Sequence, residues 1–355
     1  MRKGTRAMTD IRGDAAADPR RRPTIHDVAR LAGVSTSTVS RVLDPRVPPS
    51  RSPAAARVRS AADSLGYTPH SIAASLRRQG TETIGVLVPR LTDTVMAITY
   101  EEVARACQAR GYFAMVATTG DRPESERAAA DSLLRRRVDG LVLSTARTGD
   151  PFLAELRERG TPHTLVLRTD GHSPSSLGDD ELGGYLAARH LLDLGHRDVA
   201  CVAGPAHTSS AAGRRAGYLR ALAERGITPR PEWVIGSEFS MEAGEEAARA
   251  LLDGDARPTA VFAVNDNTAV GVMSTALRRG LDVPGDLSIV GYNDIPLADR
   301  LPLPLTTMRV PFRDIAADAV DLLLSPPGEG EESVRVRPPT LIPRASTAPP
   351  RGPAD

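Results

Sequence analysis

The stretch TIHDVARLAGVSTSTVSRVLD, residues 24–44, decides how the rest of the chain is read. Thr24 stands where a helix N-cap belongs, and Ile25, Val28, Ala29 and Ala32 follow at helical spacing. Gly33-Val34 interrupts the pattern. Ser35 then supplies a second cap, and Val39, Val42 and Leu43 form a second apolar stripe. The other face of this second helix carries Thr36, Ser37, Ser40 and Arg41. Short polar side chains beside an arginine on one exposed face suit contact with base edges in the major groove of DNA. Thr24 and Ser35, each at a helix N-terminus, suit phosphate contacts. A surface helix that is rich in Ser and Thr and binds nothing has the same local pattern, so its surroundings must decide.

They favour nucleic acid. The 355-residue chain is nearly neutral, with 45 Lys+Arg against 44 Asp+Glu and a net of +1. Residues 20–80 hold eleven Arg and three Asp, a net of +8, which leaves −7 for the remainder. A basic module joined to an acidic body is a common layout for a nucleic-acid binder with a separate regulatory or catalytic part. A third helix opens at Ser52-Pro53, as N-cap and first turn, with Val58, Ala61, Ala62 and Leu65 inward and Gly66 at its end. Residues 70–79 (HSIAASLRRQ) form a small helical stretch, shorter than the ~12–15 residues an isolated helix needs in water.

From residue 81 the rhythm changes. TIGVLV (83–88), YFAMVA (112–117), VDGLVL (138–143), TLVL (164–167), VACVAG (199–204), EWVIG (232–236), TAVFAV (259–264) and LSIVGY (287–292) alternate with amphipathic helices that often end in Gly. Near-continuous apolar strands between helices mean parallel sheets with both faces covered. Eight such strands fit either one large sheet or two doubly wound lobes. A helix over 311–324, a turn over 325–333 and a last strand in LIPRAST (341–347) complete the core, and a Pro-rich tail follows at 348–355.

Several classes are excluded. Cys107 and Cys201 make no disulfide framework and no zinc site by themselves, which fits a reducing cytoplasm. No apolar run approaches 18 residues, so no membrane partner is expected. Residues 1–22 are polar and aperiodic, a disordered tail without the apolar region of a secretory signal, and Met8 is an alternative start. There is no GxSxG, P-loop, GxGxxG after a strand, HExxH or metal-spaced cluster, and the histidines are scattered. No enzyme activity, cofactor or metal is therefore expected. A transporter's solute-binding protein shares the fold of such a core, but the basic module and the absence of a signal argue against it.

Ordered blocks along residues 24–347 give the chain a resemblance. TIHDVARLAGVSTSTVSRVLD (24–44), LGYTPHSIAASLR (65–77), TETIGVLVP (81–89), HLLDLGHRDVACVAGP (190–205), RRAGYLRAL (214–222), PTAVFAVNDNTAVGV (258–272), DLSIVGYNDI (286–295) and LPLTTMRVP (303–311) are similar to the LacI/GalR family of bacterial transcription regulators. The resemblance implies an all-α helix-turn-helix headpiece (23–68), a hinge helix (69–80) and an α/β periplasmic-binding-protein-like core (81–347). That core has two doubly wound parallel-sheet lobes, one about 81–178 and 309–325, the other about 179–308 and 330–347. The chain crosses between the lobes three times, and effector binds between them. It further implies a cytoplasmic, nucleoid-associated repressor that binds double-stranded, palindromic operator DNA as a homodimer and answers to a sugar, sugar phosphate or sugar acid. The eight Pro-rich residues after Thr347 lack a leucine-heptad tail of the tetramer-building kind.

Residue roles follow by position. Thr36, Ser37 and Arg41 fall where family members read bases. His70, Ala73, Leu76 and Arg77 make up the hinge contacts, with Leu76 as the minor-groove wedge. Helix packing is the alternative for Leu76, but Ile72 is its only large apolar neighbour, which favours the wedge. In the core, Asp93, Arg214, Phe239, Asn265, Asp266 and Asn293 fall at effector positions. Asp266 capping a helix, Asn293 a turn and Phe239 as plain core are the structural alternatives. SRSPAAARV (50–58) departs from the family's phosphate-binding pattern, which shifts backbone contacts to Arg51 or Arg57. Leu167 stands where the family has Asp, Arg90 replaces an acidic or Asn position, with a solvated loop residue as its alternative, and Val95-Met96 replaces an aromatic pair. Fewer carboxylates and an added Arg make an acidic or phosphorylated ligand an alternative to a neutral sugar.

Overall fold

The computed structural model describes residues 23–44, 47–68, 80–254, 256–328, 330 and 332–351. The expected tail 1–22 and the hinge contacts His70, Ala73, Leu76 and Arg77 lie outside the described residues. The chain divides into two compact units, with the division between Gln79 and Gly80.

The first unit holds α1 (Ile25–Ala32), α2 (Thr36–Val42) and α3 (Pro53–Leu65). Thr24 begins α1 by donating its backbone N–H and its hydroxyl to Asp27 Oδ2, at 2.9 and 2.7 Å. Gly33, at φ 64°, ends it in the left-handed region that glycine enters without a Cβ clash. Ser35 Oγ accepts the Thr38 N–H at 3.3 Å, and Ser52 Oγ accepts that of Ala55 at 3.2 Å. Val28, Val39 and Val58 are fully buried and meet Ala29, Ala61 and Ala62 in a small apolar centre.

The second unit contains two sheets. β1 (Thr83–Val88), β2 (Phe113–Thr118), β3 (Gly140–Leu143), β4 (His163–Val166), β5 (Ser175–Gly178) and β11 (Val334–Arg337) form the first, in the order β2-β1-β3-β4-β5-β11 and parallel throughout. β6 (Val199–Gly204), β7 (Val234–Gly236), β8 (Ala260–Ala263), β9 (Ser288–Asn293), β10 (Thr306–Arg309) and β12 (Thr340–Ile342) form the second, in the order β7-β6-β8-β9-β10-β12. Only β12 is antiparallel there. Two lobes, rather than one large sheet, are therefore present. Lobe one carries α4 (Thr94–Ala109), α5 (Pro123–Arg135), α6 (Pro151–Glu158) and α11 (Phe312–Leu324). Lobe two carries α7 (Asp180–Asp193), α8 (Ser209–Glu224), α9 (Met241–Asp253) and α10 (Asp266–Arg278).

The chain passes between lobes after β5, after β10 and between β11 and β12. This corrects one expected boundary. The family pattern puts residues 330–347 in lobe two, yet Val334–Arg337 pairs with Ser175–Gly178 of lobe one. Arg335 and Arg337 bridge Asp318 on α11 at 3.3 and 2.6 Å, which ties this alternating Val/Arg strand to that lobe. The end of the chain also departs from a plain tail. The Ala348 carbonyl accepts from Ser288 Oγ at 3.1 Å, and Arg351 bridges Asp282 and Asp286 at 2.5 and 2.6 Å.

One packing detail positions the site. A Cβ on Gly184 of α7 would lie 2.0 Å from the Arg214 carbonyl oxygen, and one on Gly217 of α8 would lie 1.9 Å from that of Glu181. The two helices therefore touch backbone to backbone, which sets Arg214 of α8 beside Asp180 of α7.

Candidate functional site

In both sheets the strand order reverses direction beside the first strand, at β1/β3 and at β6/β8. Doubly wound sheets bind ligands outside the carboxyl ends of their strands at such switch points. The cleft lies there, enclosing about 630 Å³ of space partly open to solvent. Lobe one supplies Arg90 and Asp93 after β1, Asp121 after β2, and Leu167 and Arg168 after β4. Lobe two supplies Ser210 and Arg214 from α8, Glu238 and Phe239 after β7, Asn265 after β8 and Asn293 at the end of β9.

Five of the six expected effector residues thus converge: Asp93, Arg214, Phe239, Asn265 and Asn293. Asp93 is the N-cap of α4, accepting the Val95 N–H at 2.9 Å, and it reaches across the cleft to Asn267 Nδ2 at 3.5 Å. Burial raises its pKa, with the Val95 bond opposing. Arg214 donates to Asp180 Oδ1 and to the Val264 carbonyl, both at 2.8 Å, with its guanidinium 3.7 Å from the centre of the Tyr292 ring. Burial works against its charge, but Asp180 beside it holds the pKa above the ordinary value, so Arg214 stays charged. Asn265 caps α10 through the Thr268 N–H at 2.8 Å and donates to the Phe239 carbonyl at 3.3 Å, fixing the loop that carries the aromatic ring. Asn293 has φ 111°, in the positive range where Asn is among the better-tolerated residues.

Asp266 is the exception. It lies below the cleft, fully buried, and accepts from the Ile295 N–H at 2.8 Å and the Thr307 hydroxyl at 2.5 Å. It supports the turn after β9 from inside, and burial pushes its pKa to about 7. Asn265, not Asp266, caps the helix. Arg168 was missed, and it is the most deeply buried cation on the lobe-one side of the cleft at 4% exposure. Its place directly after a buried strand, at a carboxyl end, was the available signal. Asp121, Ser210 and Glu238 were missed too, since each sits in a polar loop or on a helix with no motif of its own.

In the first unit, Ser35, Ser37, Ser40 and Arg41 are exposed along one side of α2, and Thr36 and Thr24 are half-buried. Ser35 Oγ lies 2.8 Å from Ser37 Oγ and 2.9 Å from Thr38 Oγ1, so this N-terminus presents a cluster of hydroxyls. Arg57 donates its Nε to the Ala32 carbonyl at 3.1 Å, which closes the end of α1, and the residue is exposed. Arg51 is exposed.

A three-helix module with an exposed hydroxyl-and-arginine face, joined to a two-lobed core with a cleft at the carboxyl ends of its sheets, defines a DNA-binding transcription regulator with a ligand-binding part. Residues 24–70 match the bacterial regulatory proteins of the lacI family, and residues 188–347 match the periplasmic binding protein-like domain. The HTH-type transcriptional repressor PurR of Vibrio campbellii is 35% identical over 317 residues, covering 88% of this chain and 94% of that protein. The lac repressor dimer bound to operator and the anti-inducer ONPF superposes with a TM-score of 0.83 at 28% identity, over 92% of this chain and 100% of that one. The CelR–cellobiose complex does so with a TM-score of 0.68 at 28% identity, over 92% and 100%. The chain belongs to the LacI family of bacterial regulatory proteins and is a DNA-binding transcriptional repressor of that family. Among the described residues no helix is long and apolar enough to cross a membrane.

Proposed function

We propose that this repressor acts in the cytoplasm as a homodimer on an approximately palindromic operator, under control of a small metabolite held between its lobes. The observation that carries this reading is the convergence of Asp93, Arg214, Phe239, Asn265 and Asn293 at the carboxyl ends of both sheets. The effector is a sugar, sugar phosphate or sugar acid; the likeness to the cellobiose complex of CelR supports the sugar, and Arg90 and Arg168 in the cleft support an anionic group on it. Thr36, Ser37, Ser40 and Arg41 read bases, Thr24 and Ser35 hold phosphates, and His70, Ala73, Leu76 and Arg77 act at the minor groove. Ligand alters lobe closure and so shifts the population of the DNA-competent state. Two headpieces match two half-sites, in line with the operator-bound dimer of the lac repressor.

Footprinting of the full chain on its own and neighbouring promoters tests the operator half. A protected palindrome is expected, and none anywhere would overturn it. Leu76→Ala is expected to weaken specific binding more than non-specific binding, whereas equal losses would remove the wedge role. A thermal-shift screen with sugars, sugar phosphates, sugar acids and nucleobases tests the effector class. Selective stabilisation by a nucleobase alone would replace the sugar assignment, and a native mass of four chains would replace the dimer.

A further inference from the structure

Lobe one places a guanidinium in the cleft that its own neighbours leave short of negative charge. Arg168 Nη1 lies 3.4 Å from Asp121 Oδ1, and Arg147 Nη2 lies 3.4 Å from the same oxygen. One carboxylate therefore serves two cations, both at more than the ~2.7–2.9 Å of a close charge-assisted bond. Arg147 Nε is itself buried without a partner. Among the described residues no other carboxylate bridges Arg168. Asp93 is engaged by the Val95 N–H and Asn267, and Glu238 is exposed on lobe two. Arg214, the other buried cation of the cleft, has Asp180 at 2.8 Å and a carbonyl besides. The contrast is between a cation whose partners are in place and one whose partner is shared and distant. Phe239 shields Arg168 from water on one side, its ring centre 5.5 Å from the guanidinium carbon. Burial lowers the Arg168 pKa and the Arg147 charge lowers it further, with Asp121 and, more weakly, Asp93 opposing; the net shift is downward, as for a desolvated cation short of negative charge.

We propose that Arg168 is the specificity-determining residue of the effector cleft and that it takes a carboxylate or phosphate group of the effector. This rests on the reading of the cleft as the effector site and narrows it to an anionic ligand. An incoming anion accepts from the guanidinium in fork geometry, which Arg offers and Lys does not. It supplies the charge that Asp121 has to divide between two arginines. A neutral ligand leaves a buried cation uncompensated as the lobes close on it, which is costly. Asp121 is a competitor as well as an anchor, so its removal strengthens anion binding. Its backbone sits at φ 59°, where Asn is at ease, so Asp121→Asn changes charge with little strain.

The experiment uses the full chain and free anions as probes. Thermal shifts are recorded against sodium phosphate and sodium acetate at matched ionic strength, with sodium chloride as the baseline. A saturable, millimolar-range stabilisation is expected from at least one anion, and which one acts separates phosphate from carboxylate. Arg168→Met is expected to abolish it, Arg168→Lys to keep part of it, and Asp121→Asn to lower the half-saturating concentration at least threefold. Arg351→Gln, on the outer face of lobe two, is expected to leave it unchanged. Phosphate held by the basic headpiece would persist in Arg168→Met, so an equal shift there overturns the proposal. An absent saturable shift does so too, as does an unchanged half-saturation in Asp121→Asn, which decides the matter even if Arg168→Met does not fold. A neutral sugar that stabilises wild type and Arg168→Met equally would sink the anion role and leave the cleft as an effector site. Failure of operator protection would sink the regulator reading instead.

Discussion

Glu126 has no cation in bonding distance among the described residues and is 2% exposed. It accepts a hydrogen bond from the Thr145 hydroxyl. Burial pushes its pKa up to about 7, more than the Thr145 bond lowers it. A folded-state pKa above the unfolded value of ~4.3 means the folded chain binds the extra proton. The stability this gives is complete below about pH 4 and is lost as pH rises towards 7. Glu126→Gln, neutral at every pH, is expected to remove a decline on the order of 3 kcal/mol across that window. Asp266, also raised to about 7 by burial, adds a decline of the same sign that remains in the variant. Burial holds the His196 pKa below its usual value, so His196 acts the opposite way, losing stability as pH falls from ~6.5. Urea unfolding at pH 5 and pH 8 checks the difference, and equal slopes for the two proteins would refute it. At the headpiece, Arg41→Ala is expected to cost ~1–3 kcal/mol of operator affinity for each base that the guanidinium no longer reads, with non-specific binding less affected. Fluorescence anisotropy with operator and scrambled duplexes reads both. Residues inside the blocks that carry the family resemblance were legible at this scale, Arg214 in RRAGY and Asn265 in VNDN among them. Arg168 was not, because nothing in TLVLRTD says that the arginine turns inward. Asp266 was misplaced because its environment is set by Ile295 and Thr307, distant in sequence.

Helices announce themselves through periodicity and caps, and here Thr24, Ser35 and Ser52 stand at the helix starts that their sequence suggests. Strands announce themselves through apolar runs, and three of the twelve among the described residues have none. SSLG (β5), TTMR (β10) and VRVR (β11) are polar or alternating. Ser175, Ser176, Thr306 and Thr307 are nevertheless fully buried, because neighbouring strands take up their backbone groups. Their pairing depends on what lies beside them in space, which local patterning does not carry, and the misassigned third crossing is the direct result. The α7/α8 contact was equally hidden, since a glycine in a helix is a weak signal until its neighbour is known. Gly217→Ala is expected to destabilise the core by at least the ~1–3 kcal/mol typical of overpacking. The added Cβ would meet backbone, which cannot rotate away, and would part α8 from α7. Because Arg214 and Asp180 face each other across that contact, effector-dependent thermal shifts should shrink with it. A Gly217→Ala protein with wild-type melting and ligand response would show that the helices can separate freely. Gly213→Ala meets the Asp180 Cβ at 3.0 Å and backbone no nearer than the Glu181 nitrogen at 3.4 Å, and should be milder.

The two units have separate apolar centres of unequal size. The headpiece relies on Val28, Val39, Val58 and a few alanines, and below ~60 residues such a centre gives marginal stability. In the core, one cluster runs through both lobes, including Ile84 and Val86 from β1 and Val199 and Val202 from β6. The lobes therefore share an interior and should unfold together, whereas the headpiece should unfold by itself. Calorimetry of the full chain is expected to show a small low-temperature transition and a large cooperative one. A protein that begins at Gly80 should lose the first, keep the second within ~2 °C, and still respond to whatever ligand fills the cleft. It should also lose operator binding altogether, since Thr36, Ser37, Ser40 and Arg41 are gone with the basic segment. Operator, binding the folded headpiece, should raise the first transition most and, because effector and operator are coupled through the lobes, move the second by a smaller amount. A large transition that operator leaves unmoved, together with an operator affinity that effector does not change, would mean that the two sites are uncoupled, because the coupling free energy is the same read from either site, and it would remove effector control from the proposed function.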